Sequence, residues 1–523
     1  MTIGFRTTLF RNTVSHTLLG LSSVVAGVFV SVVTARLLGP VEFGDYSTII
    51  WITGAVGVVG TLGLGPTLAK YIAELGSEPG RARASRLTLT SWTVSLAATG
   101  ALVGLAVSFV QISMTEPART YGTLFLFALV PASVQTISTG VLAGLRRYDY
   151  LALVAVASAT GSITFIYLLL SLGYGLTGLA AYAFAASTVF AVVAYVIVRR
   201  NLATGDQSSV VDPDLQRRFI RYAVSSMAIL ALNAVVWERS DVLFLQLFRY
   251  DAEAGLFSAA FGITKRTVFF IPGLFMGVLL PSMSYLFGRR ELSKLARLLT
   301  ASTRILIAIG VLLVALVVPL AQPLVLILYG EAYMGAVLPV QILAISSFSA
   351  VVAGASSSAI LALDKPHHVV ALLSGMAGAS VLCDVVLIPP LGLMGAAIAN
   401  LVVQGAAAAL TMYLAFRYLG PETASLRRST SAALAAGFAA GSTAFMIELV
   451  IGTGSFATVL VGLFAASVPA VLVYFATMVW LRGVRYLELE RLIGLVGKSG
   501  YPGRSLAVAV LSPLLHLAHR RSD

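Results

Sequence analysis

A chain of 523 residues with 58% hydrophobic residues, only 11% charged residues and a net charge of +13 lies far from a soluble globular protein, in which about a quarter of residues are charged. Its apolar runs are roughly 20 residues long and interspersed with Gly, Ala and Ser, which fits helices crossing a ~30 Å hydrocarbon layer and excludes a β-barrel, whose strands alternate over about 10 residues. The lone cysteine, Cys383, excludes an intramolecular disulfide.

In chain order, Arg6 and Arg11 precede an apolar run over 12–35 that is too long for a signal peptide and lacks a small-residue cleavage site, so it reads as the first span. Further spans are expected at 43–65, 88–112, 120–144, 151–172, 176–198, 221–247, 255–286, 302–322, 337–361, 368–389, 393–416, 431–452 and 456–481. The fold class is therefore an all-α integral membrane protein with about 14 transmembrane helices. Beyond them, 505–518 contains a proline and reaches only ~21 Å as a helix, so it is expected on the membrane surface.

With the N-terminus in the cytoplasm, most Lys and Arg residues fall in cytoplasmic segments, and only Arg36, Arg119 and Arg249 fall outside. This pattern obeys the positive-inside rule and places both termini in the cytoplasm of a multi-pass cell-membrane protein. It also accounts for the basic balance with no nucleic-acid partner, because the cations are spread over successive loops.

The segments repeat. LLGPVEFGDYS (37–47) matches FRYDAEAGLFS (248–258), with Glu42, Gly44, Tyr46 and Ser47 falling on Glu253, Gly255, Phe257 and Ser258 at an offset of 211. LAGLRRYDY (142–150) finds a counterpart in LALDKPHHV (361–369), and LGYGLTGLAAY (172–182) in LGLMGAAIAN (391–400). Six spans per repeat relate the halves by an axis along the membrane normal. The expected domains are an interfacial N-terminus (1–11), a six-helix lobe (12–198), a cytoplasmic linker (199–220), a second six-helix lobe (221–418), a C-terminal helix pair (431–481) and a cytoplasmic tail (482–523).

These motifs, with LLPSMS (279–284), LYGEAYMGAVLPVQILA (328–344), ALDKP and IPPLGLMGAAIAN (388–400), resemble the polysaccharide-transport branch of the multidrug/oligosaccharidyl-lipid/polysaccharide exporter superfamily. The resemblance covers roughly residues 10–480. It implies a V-shaped, two-lobed flippase that moves polyprenyl-diphosphate-linked oligosaccharide from the inner to the outer leaflet by alternating access. It further implies contact with membrane lipids and, in the same pathway, a polysaccharide polymerase or glycosyltransferases. Lipid II flippases and cation-coupled multidrug antiporters share the fold, and the antiporter is the alternative reading.

One stretch, VVWERSDVLFL (235–245), sets Glu238, Arg239 and Asp241 in an apolar run. A charge at the bilayer centre costs at least ~2.5–3.5 kcal/mol, so these residues need partners or water. Lys265 and Arg266 lie level with them if the chain turns near 250–253, and Glu238 and Asp241 at i, i+3 would share a helix face toward them. Two readings follow: a buried ion network stapling two helices, or an excess of cations lining a hydrated central cavity that attracts a diphosphate. On the second, Arg239, Lys265, Arg266 and the outer-rim Arg36 are candidate substrate-binding residues, and Glu238 and Asp241 candidate ion-coupling residues. Asp384, near the outer end of its span, is either solvated or a third coupling site. Asn233, Gln135, Asn400 and Gln404 are either interhelical hydrogen-bonders or sugar contacts. No phosphate-binding loop, HExxH, CxxC or G-x-S-x-G pattern occurs, so no ATP site, metal, cofactor or enzymatic role is expected.

Overall fold

The computed structural model describes residues 3–75, 78–113, 118–145, 147–202, 212–238, 240–269, 279–280, 282–363, 365–420, 423–451 and 456–481. The proposed surface helix at 505–518, the rest of the tail and Arg239 lie outside the described residues. All described regular structure is helical, and twelve of its helices are long and apolar enough to cross a membrane. The chain is a multi-pass membrane protein. It divides into two compact units, Met1–Ser258 and Ala259–Asp523, so the seventh apolar segment packs with the first unit.

In the first unit, α1 (Ile3–Gly60) holds the first expected span and the second as far as Gly60, because the turn between them is a single residue: Gly39 at φ 78°, ψ 175°, followed by Pro40. Glycine enters this region without steric penalty, and proline restarts the helix with its φ already set. After α2 (Leu64–Glu74), α3 (Glu78–Ser113), α4 (Ala118–Phe127), α5 (Leu129–Gly144), α6 (Tyr148–Ser171) and α7 (Gly175–Leu202) comes α8 (Pro213–Val236). This last helix starts on Asp212, whose carboxylate accepts the Asp214 N–H at 3.2 Å, with Pro213 in the first turn. Leu68, Tyr71, Ile72, Trp92, Ile137, Leu142 and Phe219 form the core where α2, α3, α5 and α8 meet. Small residues allow the closest approaches. A Cβ on Gly140 would collide with the Gly65 carbonyl, so α2 and α5 touch backbone to backbone.

The repeated turns pack on each other within this unit. α9 (Asp241–Leu247) leads into α10 (Asp251–Thr264). A Cβ on Gly44 would strike the Asp251 carbonyl, and one on Gly255 would strike the Pro40 carbonyl. Positions 44 and 255, and 40 and 251, are the pairs that the offset of 211 relates, so the contact is reciprocal in the way a two-fold axis makes it.

In the second unit a π-helical turn, Lys265–Phe269, follows α10. Then come α11 (Leu292–Val317), α12 (Ala321–Leu328), a 3₁₀ turn (Glu331–Ala336), α13 (Val337–Ala362), α14 (Pro366–Leu391), α15 (Leu393–Leu419), α16 (Thr423–Ile451) and α17 (Phe456–Trp480). The eighth expected span, 255–286, is described only in part. Ala433, Ala436, Ala440 and Ala444 form a buried stripe on α16 that lets its neighbours approach closely. The Tyr474 hydroxyl donates to the Ala308 carbonyl at 2.6 Å, joining α17 to α11. The outward faces are apolar: Val450 is 82% exposed, and Phe438 and Phe464 point out beside it on the same helix pair, as lipid-facing residues do.

Gly44→Ala and Gly255→Ala are expected to separate α1 from α10 and destabilise the protein by about 1–3 kcal/mol, an overpacking cost. Gly54→Ala, in the same α1 with open space around its Cβ position, is expected to be silent. Thermal unfolding of the three variants in detergent checks the difference.

Candidate functional site

The seventh apolar segment is not one helix. α8 ends at Val236, where the Trp237 N–H bonds the Asn233 carbonyl at 2.9 Å, and α9 starts at Asp241. Between them the Ser240 hydroxyl donates to the Val235 carbonyl at 2.9 Å, and the Leu243 N–H returns to the Ser240 carbonyl at 3.0 Å. The expected shared helix face of Glu238 and Asp241 is therefore corrected, because the break falls between them. Serine competes with the helix for backbone partners and supplies the groups the broken ladder needs. Glu238 is exposed and Asp241 is buried in the first turn of α9, where a carboxylate faces the positive end of the helix dipole.

The cations of the eighth segment also sit on an irregularity. Lys265 and Arg266 open the π-helical turn and are half-buried. The Lys265 ammonium lies 5.5 Å from the centre of the Phe261 ring, and the Arg266 Nη1 reaches the Gly262 carbonyl at 3.4 Å. The Thr264 and Thr267 hydroxyls donate to carbonyls in the preceding turn, which loosens the helical ladder where it widens. Arg36 is exposed on α1, one turn before the Gly39 break. Asp384 on α14 is fully buried, which corrects its solvated reading. Asn400 is an interhelical bonder: its Oδ1 accepts the Ser346 hydroxyl at 2.6 Å and joins α15 to α13. Asn233 instead donates to its own helix at Ile229, at 2.8 Å.

Sequence reasoning missed two features of the first unit. Asp45 on α1 accepts the Gln246 side-chain N–H at 2.7 Å and the Tyr121 hydroxyl at 3.3 Å, so one carboxylate ties α1 to α9 and α4. Asp45 stands in the repeated turn 37–47, and its place among apolar residues is the signal the sequence carries for it. The second feature is a cavity of about 670 Å³ walled by α1, α2, α5, α6 and α7. Its polar lining consists of Gln135, Thr136, Thr139, Tyr148, Ser158 and Ser162, and among the described residues no Asp, Glu, Lys or Arg lines it.

Residues 9–287 match the family model described as "Polysaccharide biosynthesis protein". No curated protein matches the chain. Among solved structures, the chain is similar to the lipid II flippase MurJ in an inward closed conformation, with a TM-score of 0.64 and 13% identity over 90% of this chain and 99% of that one. It is similar to an inward-facing multidrug resistance MATE family transporter of the MOP superfamily, with a TM-score of 0.63 and 16% identity over 77% and 94%. A MOP superfamily transporter from Pyrococcus furiosus gives a TM-score of 0.58 and 16% identity over 79% and 95%. The fold is that of the MOP superfamily.

Asp45→Ala and Gln246→Ala are each expected to cost about 0.5–1.5 kcal/mol, the net loss of a hydrogen bond between half-buried side chains. The double variant is expected to cost less than the sum, by about 0.5–1 kcal/mol. A double-mutant cycle on thermal stability measures this, and strict additivity would remove the coupling.

Proposed function

Because the chain belongs to the polysaccharide biosynthesis protein family, we propose that it is a flippase for polyprenyl-diphosphate-linked oligosaccharide, carrying it from the inner to the outer leaflet by alternating access. The observation that carries this reading is the pair Lys265 and Arg266, adjacent on an irregular turn inside an apolar segment. An anionic head group bearing sugars cannot cross hydrocarbon unaided, whereas its polyprenyl tail can stay in lipid throughout. Cations held at membrane depth lower the barrier for the diphosphate, and the planar fork of Arg matches phosphate oxygens bidentately. Arg239 and Arg36 complete the set of head-group contacts.

The protein works by moving its substrate, without covalent chemistry, in the cell membrane with both termini in the cytoplasm. Its partners are the lipid-linked oligosaccharide, membrane lipids and the enzymes that assemble or polymerise the glycan. Glu238, Asp241 and Asp384 are the coupling carboxylates, of which the fully buried Asp384 is best placed to exchange a proton or bind a cation away from bulk water. A second reading, a cation-coupled multidrug antiporter, is favoured by the likeness to the MATE transporter. Transport of drug cations by the purified protein in vesicles, with no movement of glycolipid, would support it.

Lys265→Ala and Arg266→Ala are each expected to lower glycolipid export by at least ~10-fold, the equivalent of about 1.4 kcal/mol of lost head-group interaction, without preventing membrane insertion. Arg266→Lys is expected to keep part of the activity. Export at the wild-type rate by both alanine variants removes the head-group role. Asp384→Asn is expected to abolish any acceleration of export by an imposed proton or sodium gradient in vesicles, and an unchanged gradient response would dismiss it as a coupling site.

A further inference from the structure

The neutral cavity of the first unit is open on one side: Thr136 is exposed in its wall, and Gln135 and Ser158 are half-buried. It runs along α6 from Tyr148 at the helix start to Ser162, ~21 Å further on at 1.5 Å per residue. Its volume of about 670 Å³ falls within the ~300–1,000 Å³ of small-ligand sites. Glycine and alanine make the space: Gly140 meets the Gly65 backbone directly, and Ala155 and Ala159 leave the α6 wall short.

The hydrogen-bonding capacity of the wall selects among ligands. A hydroxyl has one proton to donate. The Thr136 hydroxyl spends its proton on the Ala132 carbonyl at 2.9 Å and the Thr139 hydroxyl on the Thr136 carbonyl at 2.8 Å. Both present only lone pairs to the cavity. Gln135 adds a carbonyl and an amide, and Ser158 a hydroxyl. A diphosphate offers acceptors alone and would meet no cation in the described wall. A drug cation offers donors but would meet no carboxylate there, and an uncompensated charge in a low-dielectric site is costly. A hydrocarbon chain would fit the alanine, leucine and valine part of the wall but offers nothing to the Gln135 amide or the threonine lone pairs. A neutral polyol satisfies them, because its hydroxyls donate to the threonine lone pairs and accept from the Gln135 amide.

We propose that this cavity binds uncharged sugar residues of the glycan, leaving the diphosphate to the cations named above, none of which, among the described residues, lines it. The assignment rests on the flippase reading and names the part of the substrate this unit recognises. Under the charge asymmetry of the loops, Tyr148 marks the cytoplasmic end, so the cavity accepts sugars from the face on which the glycolipid is built.

The test uses Ser158→Cys in a Cys383→Ala background, reconstituted in proteoliposomes, with the rate of alkylation by a water-soluble maleimide as the readout. The probe is the glycolipid pool extracted from host membranes lacking this chain. It is expected to slow alkylation about fivefold when present at roughly four times its Kd. The same pool with its glycan removed by mild acid is expected to leave the rate unchanged. Equal protection by the stripped lipid, protection by ethidium in place of the glycolipid, or no protection overturns the assignment. Thr139→Cys serves the same purpose if Ser158→Cys does not fold. Native mass spectrometry on the same samples separates the two claims. A glycolipid adduct with an unprotected cysteine sinks the cavity and leaves the flippase standing, whereas no adduct and no accumulated pool sinks the flippase and the cavity together.

Discussion

Inside hydrocarbon every backbone N–H and C=O must find a partner within the protein, and the spans of this chain obey that constraint as helices. A break in such a helix therefore has to bring its own compensation. At 237–240 it is the Ser240 hydroxyl, which caps the Val235 carbonyl, and at the Lys265 turn it is a π-helical ladder with threonines bonded back to the preceding carbonyls. Both irregularities fall on the charged stretches of their apolar segments. Glu238, Lys265 and Arg266 are thus carried on backbone that has left the regular α-helix, where the orientation of a side chain is no longer fixed by a 3.6-residue period.

Close approach of helices supplies the rest of the framework. Membrane helices gain little from the hydrophobic effect against each other, so contact area and small residues decide which pairs meet. Gly44 and Gly255 show this in its tightest form, each facing a carbonyl of the other's turn, and the reciprocity of the two contacts gives the sequence repeat a physical meaning. Asp45 lies beside this contact, held by Gln246 and Tyr121. A carboxylate there is retained by two hydrogen bonds, and it locks α9 to α1 next to the break in the seventh segment.

On the proposed function, different residues meet the two chemistries of a glycolipid. The phosphate falls to the cations on the π-helical turn, and the sugar hydroxyls to the uncharged wall of the first unit, where Gln135, Thr136, Thr139 and Ser158 stand among small apolar residues. A flippase that reads head group and glycan with different residues can keep a common affinity for the lipid carrier while the small side chains of the sugar-facing wall vary.

Composition alone determined that this chain lies in a membrane, because an average so apolar admits no other solvent. The length of the apolar runs determined a helical bundle, and the loop cations determined an expected topology. The offset of 211 was legible because the repeated turns keep Glu, Gly and Ser at fixed spacing. Among site residues, Lys265 and Arg266 stood out since charge in an apolar run is conspicuous at any register. What the sequence could not decide was where helices stop inside an apolar run. Gly39 reduced a loop to one residue, and Ser240 split what reads as a continuous span, both through local backbone bonds that hydropathy does not register. Asp384, Asp45 and the cavity depended on tertiary structure for the same reason. Burial and empty space are properties of which faces meet, and five helices drawn from residues 26 to 194 have to be assembled before Gln135, Thr139 and Ser158 share a wall.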